Sequence, residues 1–202
     1  MMRLHGWKRW VGLLSVASVA SVAFSGCAAV NEFAALRQVE FRYDGIGDPE
    51  IVGIPLAKLT SYDQLSLVDV GRLALAVAAK DVPIDLTVRL EGRNPETNKT
   101  AARLMKLDWA YFVDDQEVVS GQLVREIVFA PGTPQILPLD VRFNLVEFFG
   151  NDGKALFDTA LILSGQRTST KKVALRLAPT IETSLGPIRY PVPITLDLAA
   201  RP

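Results

Sequence analysis

The chain has 202 residues, with 22 Lys and Arg against 22 Asp and Glu, one His and one Cys. So balanced a charge offers no phosphate-binding field, which argues against nucleic acid as a partner. A lone Cys cannot close an internal disulfide, so in an exported protein it is free, intermolecular or modified.

Arg3, Lys8 and Arg9 form a basic start, Val11 to Phe24 is an uncharged run of apolar and small residues, and Phe24-Ser25-Gly26-Cys27 follows. This is the layout of a secretory signal. A helix of the fourteen apolar-run residues would reach about 21 Å, against roughly 30 Å of bilayer hydrocarbon, so a permanent spanning helix is the weaker reading. Phe24-Ser25-Gly26-Cys27 resembles a bacterial lipobox, with Phe24 where Leu is usual. The resemblance implies cleavage by signal peptidase II before Cys27, with acyl chains added there. The alternative is an ordinary signal peptide followed by an incidental Cys. The expected organisation is a signal peptide over 1–26, a lipidated tether over 27–38 and a folded domain over 39–202. Ala28 and Ala29 carry no acid; by resemblance to lipoprotein sorting signals, this implies the outer membrane, facing the periplasm. Cleavage removes His5 and three basic residues, leaving 19 basic against 22 acidic residues, a net −3.

Along the remaining chain, Ala28 to Gln38 is a tether with helical character around Phe33 to Leu36. Val39, Phe41 and Tyr43 then alternate with Glu40, Arg42 and Asp44, as on a strand with one wet face. Asp44-Gly45-Ile46-Gly47-Asp48 reads as a turn; it lacks the alternating oxygen ligands and closing Glu of a calcium loop. No helix start follows Gly45-Ile46-Gly47, so it is not a dinucleotide fingerprint. Ser66 and Asp69 are placed like a capping box, and Leu67, Val70, Leu73, Ala74, Val77 and Ala78 recur at helical spacing up to Lys80. These six are the expected inward stripe of a helix packed on the domain.

Ile84, Leu86, Val88 and Leu90 form the next alternating row, ended by Asn94-Pro95, since a residue before Pro is pushed away from helix. Asn98-Lys99-Thr100 matches a glycosylation sequon but reads as an ordinary loop in a bacterial chain. Met105, Leu107, Trp109, Tyr111 and Val113 face one way, and Asp114-Asp115-Gln116 reads as a hairpin turn. Trp109, Tyr111 and Phe112 could line a groove, yet aromatic rows in strands are more often core. Leu139, Val141, Phe143 and Leu145 alternate, a second helix is expected over Asp152 to Leu163, and Val173, Leu175 and Leu177 alternate again. Lys171, Lys172 and Arg176 could meet anionic head groups, though a solvated strand face is the simpler reading. A turn falls at Thr183 to Gly186, and Ile188, Tyr190, Val192, Ile194, Leu196 and Leu198 make one last row. Pro191 and Pro193 cannot donate to a ladder, which places that strand at an edge. Repeated half-wet strands predict a mainly β fold: antiparallel sheets in a fibronectin-III/immunoglobulin-like sandwich with one or two accessory helices.

The segment Val82 to Pro95, ending in Asn94-Pro95, is similar to a strand and turn of the type 2 late embryogenesis abundant (LEA) proteins, which contain the WHy domain. Leu107 to Val113 resembles the family's next strand, Val118-Val119-Ser120-Gly121 its turn into a third, Ile136 to Val141 its apolar return strand and Leu185 to Ile188 its closing hairpin. The likeness runs over roughly residues 39–198. The chain departs from the pattern in Glu96 after Pro95 and in a longer Phe148–Ser164 segment. The resemblance implies a fibronectin-III-like sandwich, a link to water stress or envelope maintenance, and no catalytic residues.

Without His or a free thiol, the mature domain lacks the commonest general base, the usual transition-metal ligands and any Cys or Ser–His nucleophile. No cofactor and no metal site are expected. The preferred expectation is a non-enzymatic envelope protein held to the membrane by lipid on Cys27, meeting protein partners through a sheet edge or loops. The alternative is a binding or adaptor subunit of an envelope lipid-transport or secretion assembly that uses an edge strand for β-augmentation. An enzyme using carboxylates alone is a third and weaker reading.

Overall fold

Alternation of apolar and polar side chains builds two antiparallel sheets, whose strands are numbered here in chain order. One sheet has the order β2 (Ile54–Pro55), β1 (Glu40–Ile51), β3 (Pro83–Arg93) and β6 (Pro134–Asn144). The other runs β5 (Gln116–Phe129), β4 (Ala102–Val113) and β7 (Val173–Ile181), with β8 (Ile188–Arg189) and β9 (Ile194–Asp197) both paired to the far side of β7. The computed structural model describes residues 39–168, 170–182 and 186–198.

β3 shows the rule most cleanly. Ile84, Leu86, Val88 and Leu90 are buried, while Asp85, Thr87 and Arg89 point outward to partners on neighbouring strands. Arg142 donates to Asp85 at 3.0 Å, Thr87 to Asp140 at 3.1 Å, and Arg89 to Asp44 at 3.2 Å. The two sheets face each other across one core. Phe41 meets Phe129 edge-on with ring centres 6.0 Å apart, and Tyr111 lies 6.2 Å from Phe143. Packed aromatic pairs of this kind join the sheets by dispersion and by matching ring edge to ring face.

Three helices and a single 3-10 turn (Tyr62–Gln64) complete the described chain. Helix α1 (Leu67–Ala79) begins at Ser66, whose hydroxyl accepts from the Asp69 N–H at 3.1 Å and donates to the Asp69 carboxylate at 2.6 Å. It ends at Lys80 in the left-handed conformation. The short α2 (Val146–Phe149) leads to α3 (Gly153–Leu163), capped by Asp152, which accepts from the Ala155 N–H at 2.7 Å. Both longer helices lie where the sequence places them. Leu156, Phe157, Ala160 and Leu161 of α3 are fully buried, and Tyr62 of the 3-10 turn packs edge-on against Phe157 at 5.7 Å.

Five local expectations are corrected. Residues 44–48 are not a turn: they continue β1 through two register shifts against β3, with Asp48 at a positive φ of 44°. Met105 does not share the inward row of Leu107. It is the extra residue of a bulge between Leu104 and Lys106, so Leu104 is buried and Met105 half-buried. Val118 to Gly121 lie within β5; the turn is the pair Asp114-Asp115, both with positive φ (49° and 65°), and Gln116 already belongs to β5. Such a two-residue turn matches the twist of the strands it joins. The last row is broken at Pro191 to Pro193 into β8 and β9, leaving Val192 65% exposed. Both pieces do lie at an edge, as two prolines require. Finally, Leu67, Ala74 and Ala78 of the expected inward stripe of α1 face solvent, and its one fully buried residue is Leu73.

Candidate functional site

The proposed processing residues Phe24, Ser25, Gly26 and Cys27, with the tether up to Gln38, lie outside the described residues. The chain enters the fold at Val39, which is buried, and Glu40 of β1 pairs with Arg93 at the end of β3. That end is fastened by Asn94. Its side-chain amide donates to the carbonyls of Phe129 at 2.9 Å and Thr100 at 3.1 Å, and its oxygen accepts from the Asn98 amide at 2.8 Å. Its main-chain carbonyl accepts from Gly132 N–H at 2.8 Å. The Asn-Pro turn of the family resemblance is thus a structural knot joining three segments, and Asn98 of the sequon is an internal residue of it. Sequence reading placed the turn but missed the partnership, because nothing in a local pattern reveals that two amides four residues apart face inward together.

The outer face of the five-stranded sheet carries a shallow groove of about 590 Å³, floored by Ala110, Gly121 and Ala178. Asp108 sits there between Lys106 at 2.9 Å and Arg189 at 3.3 Å, and the Arg176 guanidinium lies 4.0 Å from the centre of the Phe112 ring. Of the three aromatics singled out in β4, Tyr111 belongs to the core, Trp109 belongs to the core and also lines the groove, and Phe112 lines the groove under Arg176. Cation and ring stabilise each other there. No three His, Cys, Asp or Glu side chains gather as metal ligands among the described residues.

A second cavity, about 240 Å³, lies between β1, the end of α3 and the start of β7, lined by Tyr43, Ile46, Leu163, Arg167, Lys171 and Leu198. Deeper in the core, the Tyr111 hydroxyl is buried and has no hydrogen-bond partner among the described residues. Burial, with a smaller contribution from Tyr43, pushes its pKa far above the ordinary phenol range, so it stays a neutral phenol at every physiological pH. At the β4–β5 turn, Asp114 accepts from the Lys171 ammonium at 3.1 Å and from the Lys172 N–H at 3.0 Å, which together hold its pKa down. Lys171 also lies over the Phe149 ring, and Lys172 pairs with Asp115 at 3.6 Å. The two lysines considered as head-group ligands are therefore engaged in fastening a turn.

Two surfaces have fewer such partners among the described residues. β5 is a fourteen-residue edge strand exposing Val124 (73%) and Val128, its far end touched by Gln135, whose side chain donates to the Val128 carbonyl. On α1, Leu67, Val68, Gly71, Ala74, Leu75 and Ala78 all face outward. At 100° per residue they fill a continuous arc of about 120°. Leu67 is 91%, Val68 71% and Leu75 75% exposed. Asp69 and Arg72 stand outside this arc, paired with each other at 3.6 Å, and Arg72 also donates to the Gly53 carbonyl at 3.3 Å.

No family profile and no curated protein matches this chain. Among solved structures it is similar to a protein from Archaeoglobus fulgidus, with 14% identity over 59% of this chain and 86% of that one, at a TM-score of 0.35. It is also similar to the solution structure of a candidate LEA protein, with 12% identity over 91% of this chain and 83% of that one, at a TM-score of 0.39. Overlaps of this size assign neither family nor function.

Proposed function

We propose that this chain is a non-enzymatic lipoprotein of the bacterial envelope, whose β-sandwich is held at the membrane by acyl chains on Cys27 and serves a LEA type 2-like role in water-stress protection or envelope maintenance. The observation that carries the reading is the order of residues at the start: a basic flank, a short apolar run and Phe24-Ser25-Gly26-Cys27, with the twelve residues 28–39 between Cys27 and the strand residue Glu40. Diacylation with a further amide-linked chain buries many CH₂ groups at about 0.8 kcal/mol each, enough for stable attachment. The outer membrane, facing the periplasm, is the proposed location, from the neutral Ala28-Ala29 that follows Cys27. Neither nucleic acid nor a metal or cofactor enters this function.

The test is fractionation of cells carrying the wild type or Cys27→Ser, with and without an inhibitor of signal peptidase II. Wild type should sediment with outer-membrane vesicles, while Cys27→Ser and inhibited cells retain the 1–26 leader. Survival of drying by cells lacking the protein tests the stress role; unchanged survival would remove it. The open β5 edge favours a second reading, an adaptor of an envelope lipid-transport or secretion assembly that adds a partner strand there. Crosslinking from membranes that captures one stoichiometric protein through Val124→Cys would favour this reading over the first.

A further inference from the structure

We infer that the exposed apolar ridge of α1 rests on the bilayer interface, giving the domain a second point of contact with the membrane that holds its lipid; this rests on the Cys27 anchoring reading. Leu67, Val68, Gly71, Ala74, Leu75 and Ala78 present no charge to solvent over thirteen residues of helix. A helix apolar on both its core and its solvent side is otherwise found buried. The ridge is convex, so it needs a concave partner or a deformable one, and an interface of lipid head groups and upper acyl chains is deformable.

Two other occupants fit less well. A second copy packing ridge on ridge would cover about 200 Å² per side, from a helix roughly 20 Å long and 10 Å wide, against about 800 Å² per side in stable interfaces. The chain's own tether joins at Val39, while α1 lies at the opposite end of β1, where Arg72 binds Gly53 and the chain enters β3 beside Ile51. The twelve residues of β1 lie opposite the ten from Ile84 to Arg93, which places these ends about 30 Å apart, so residues 27–38 spend most of their length in reaching α1 and leave too few to cover the ridge. Extended, the same residues reach about 40 Å. That is enough for the acyl chains and the ridge to enter one membrane together. A lipid already holding the chain makes ridge binding an intramolecular step, so a modest apolar area suffices.

The experiment uses the full chain purified from bacterial membranes and reconstituted into phosphatidylethanolamine–phosphatidylglycerol vesicles, after the mass of the N-terminal peptide has been measured. With Cys27 acylated, Leu75→Cys or Val124→Cys supplies the single thiol for a fluorescent label. The expected result is a label at 75 about threefold less open to aqueous iodide than one at 124, and quenched by nitroxide lipid where the label at 124 is not. Adding Leu67→Glu should return the label at 75 to iodide without altering the peptide mass. An acylated chain whose label at 75 is as open to iodide as that at 124 overturns the ridge alone. Shielding from iodide without quenching by lipid means that protein covers the ridge, and overturns it too. A peptide lacking acyl chains overturns the anchoring reading, and the two-point attachment falls with it.

Discussion

Tyr111 lies in the row of β4 that faces the core, and among the described residues its hydroxyl has no hydrogen-bond partner. A buried polar group left unpaired costs about 1–3 kcal/mol, so Tyr111→Phe should leave stability unchanged or raise it by about 1 kcal/mol, read from urea unfolding. A loss of stability would mean that the hydroxyl has a partner. Asn94 stands at the other extreme, since its side chain serves three groups at once. Asn94→Ala strands two carbonyls and the Asn98 amide, and should cost about 3 kcal/mol. Asp114 is exposed, and its pKa is lowered first by the Lys171 hydrogen bond and then by the Lys172 N–H. A carboxylate with a lowered folded pKa contributes stability above its unfolded pKa and loses it as pH falls through the folded value. The contribution is small for so exposed a pair. Carboxyl-carbon NMR should find Asp114 titrating below the ordinary aspartate range, and Lys171→Met should move it upward; no movement would deny the contact.

Among the elements, α1 tests how far a pattern of residues determines a packing face. Its start was legible because Ser66 and Asp69 satisfy free N–H groups by local chemistry, and Ser66→Ala should cost about 1 kcal/mol in thermal unfolding. Its inward face was not legible. The sequence LVDVGRLALAVAA is apolar nearly all round, so several stripes fit a helix equally well, and only packing into the common core beside α3 selects Leu73. The strands repeat the lesson. β3 follows its alternation residue by residue because its ladder to β6 runs without a register shift and the extra residues of its other ladder fall on β1, whereas β4 loses phase at Met105, where a bulge inserts one extra residue. The Asp44 to Asp48 segment has turn-forming composition, yet β3 pairs with it as a bulged strand, so tertiary pairing overrode local preference. Gly121 was read as part of a turn but serves β5 differently. It lies opposite Trp109, and an added Cβ would stand 2.5 Å from the indole. Gly121→Ala should therefore cost about 1–3 kcal/mol by displacing that ring, with a change in indole fluorescence as the local readout.

At the scale of the whole molecule, the sandwich is a body about as long as β1, with Val39 at one end and α1 at the other. Its outer faces are largely occupied by paired charges: Asp44 with Arg89, Asp85 with Arg142, and Asp108 with Lys106 and Arg189. Beyond folding, the roles proposed for the domain use the β5 edge and the α1 ridge, the least partnered surfaces among the described residues, together with the lipid proposed on Cys27. The leader is read from charge, apolar length and Cys27 in succession, without need of a fold, and it lies outside the described residues. The most direct test of the central claim is the mass of the tryptic peptide from Cys27 to Arg37, taken from protein isolated with the membrane fraction. The account predicts a new N-terminus at Cys27 carrying a diacylglyceryl thioether and an amide-linked acyl chain. A peptide still joined to Gly26, or beginning at Cys27 with a free thiol, would contradict it.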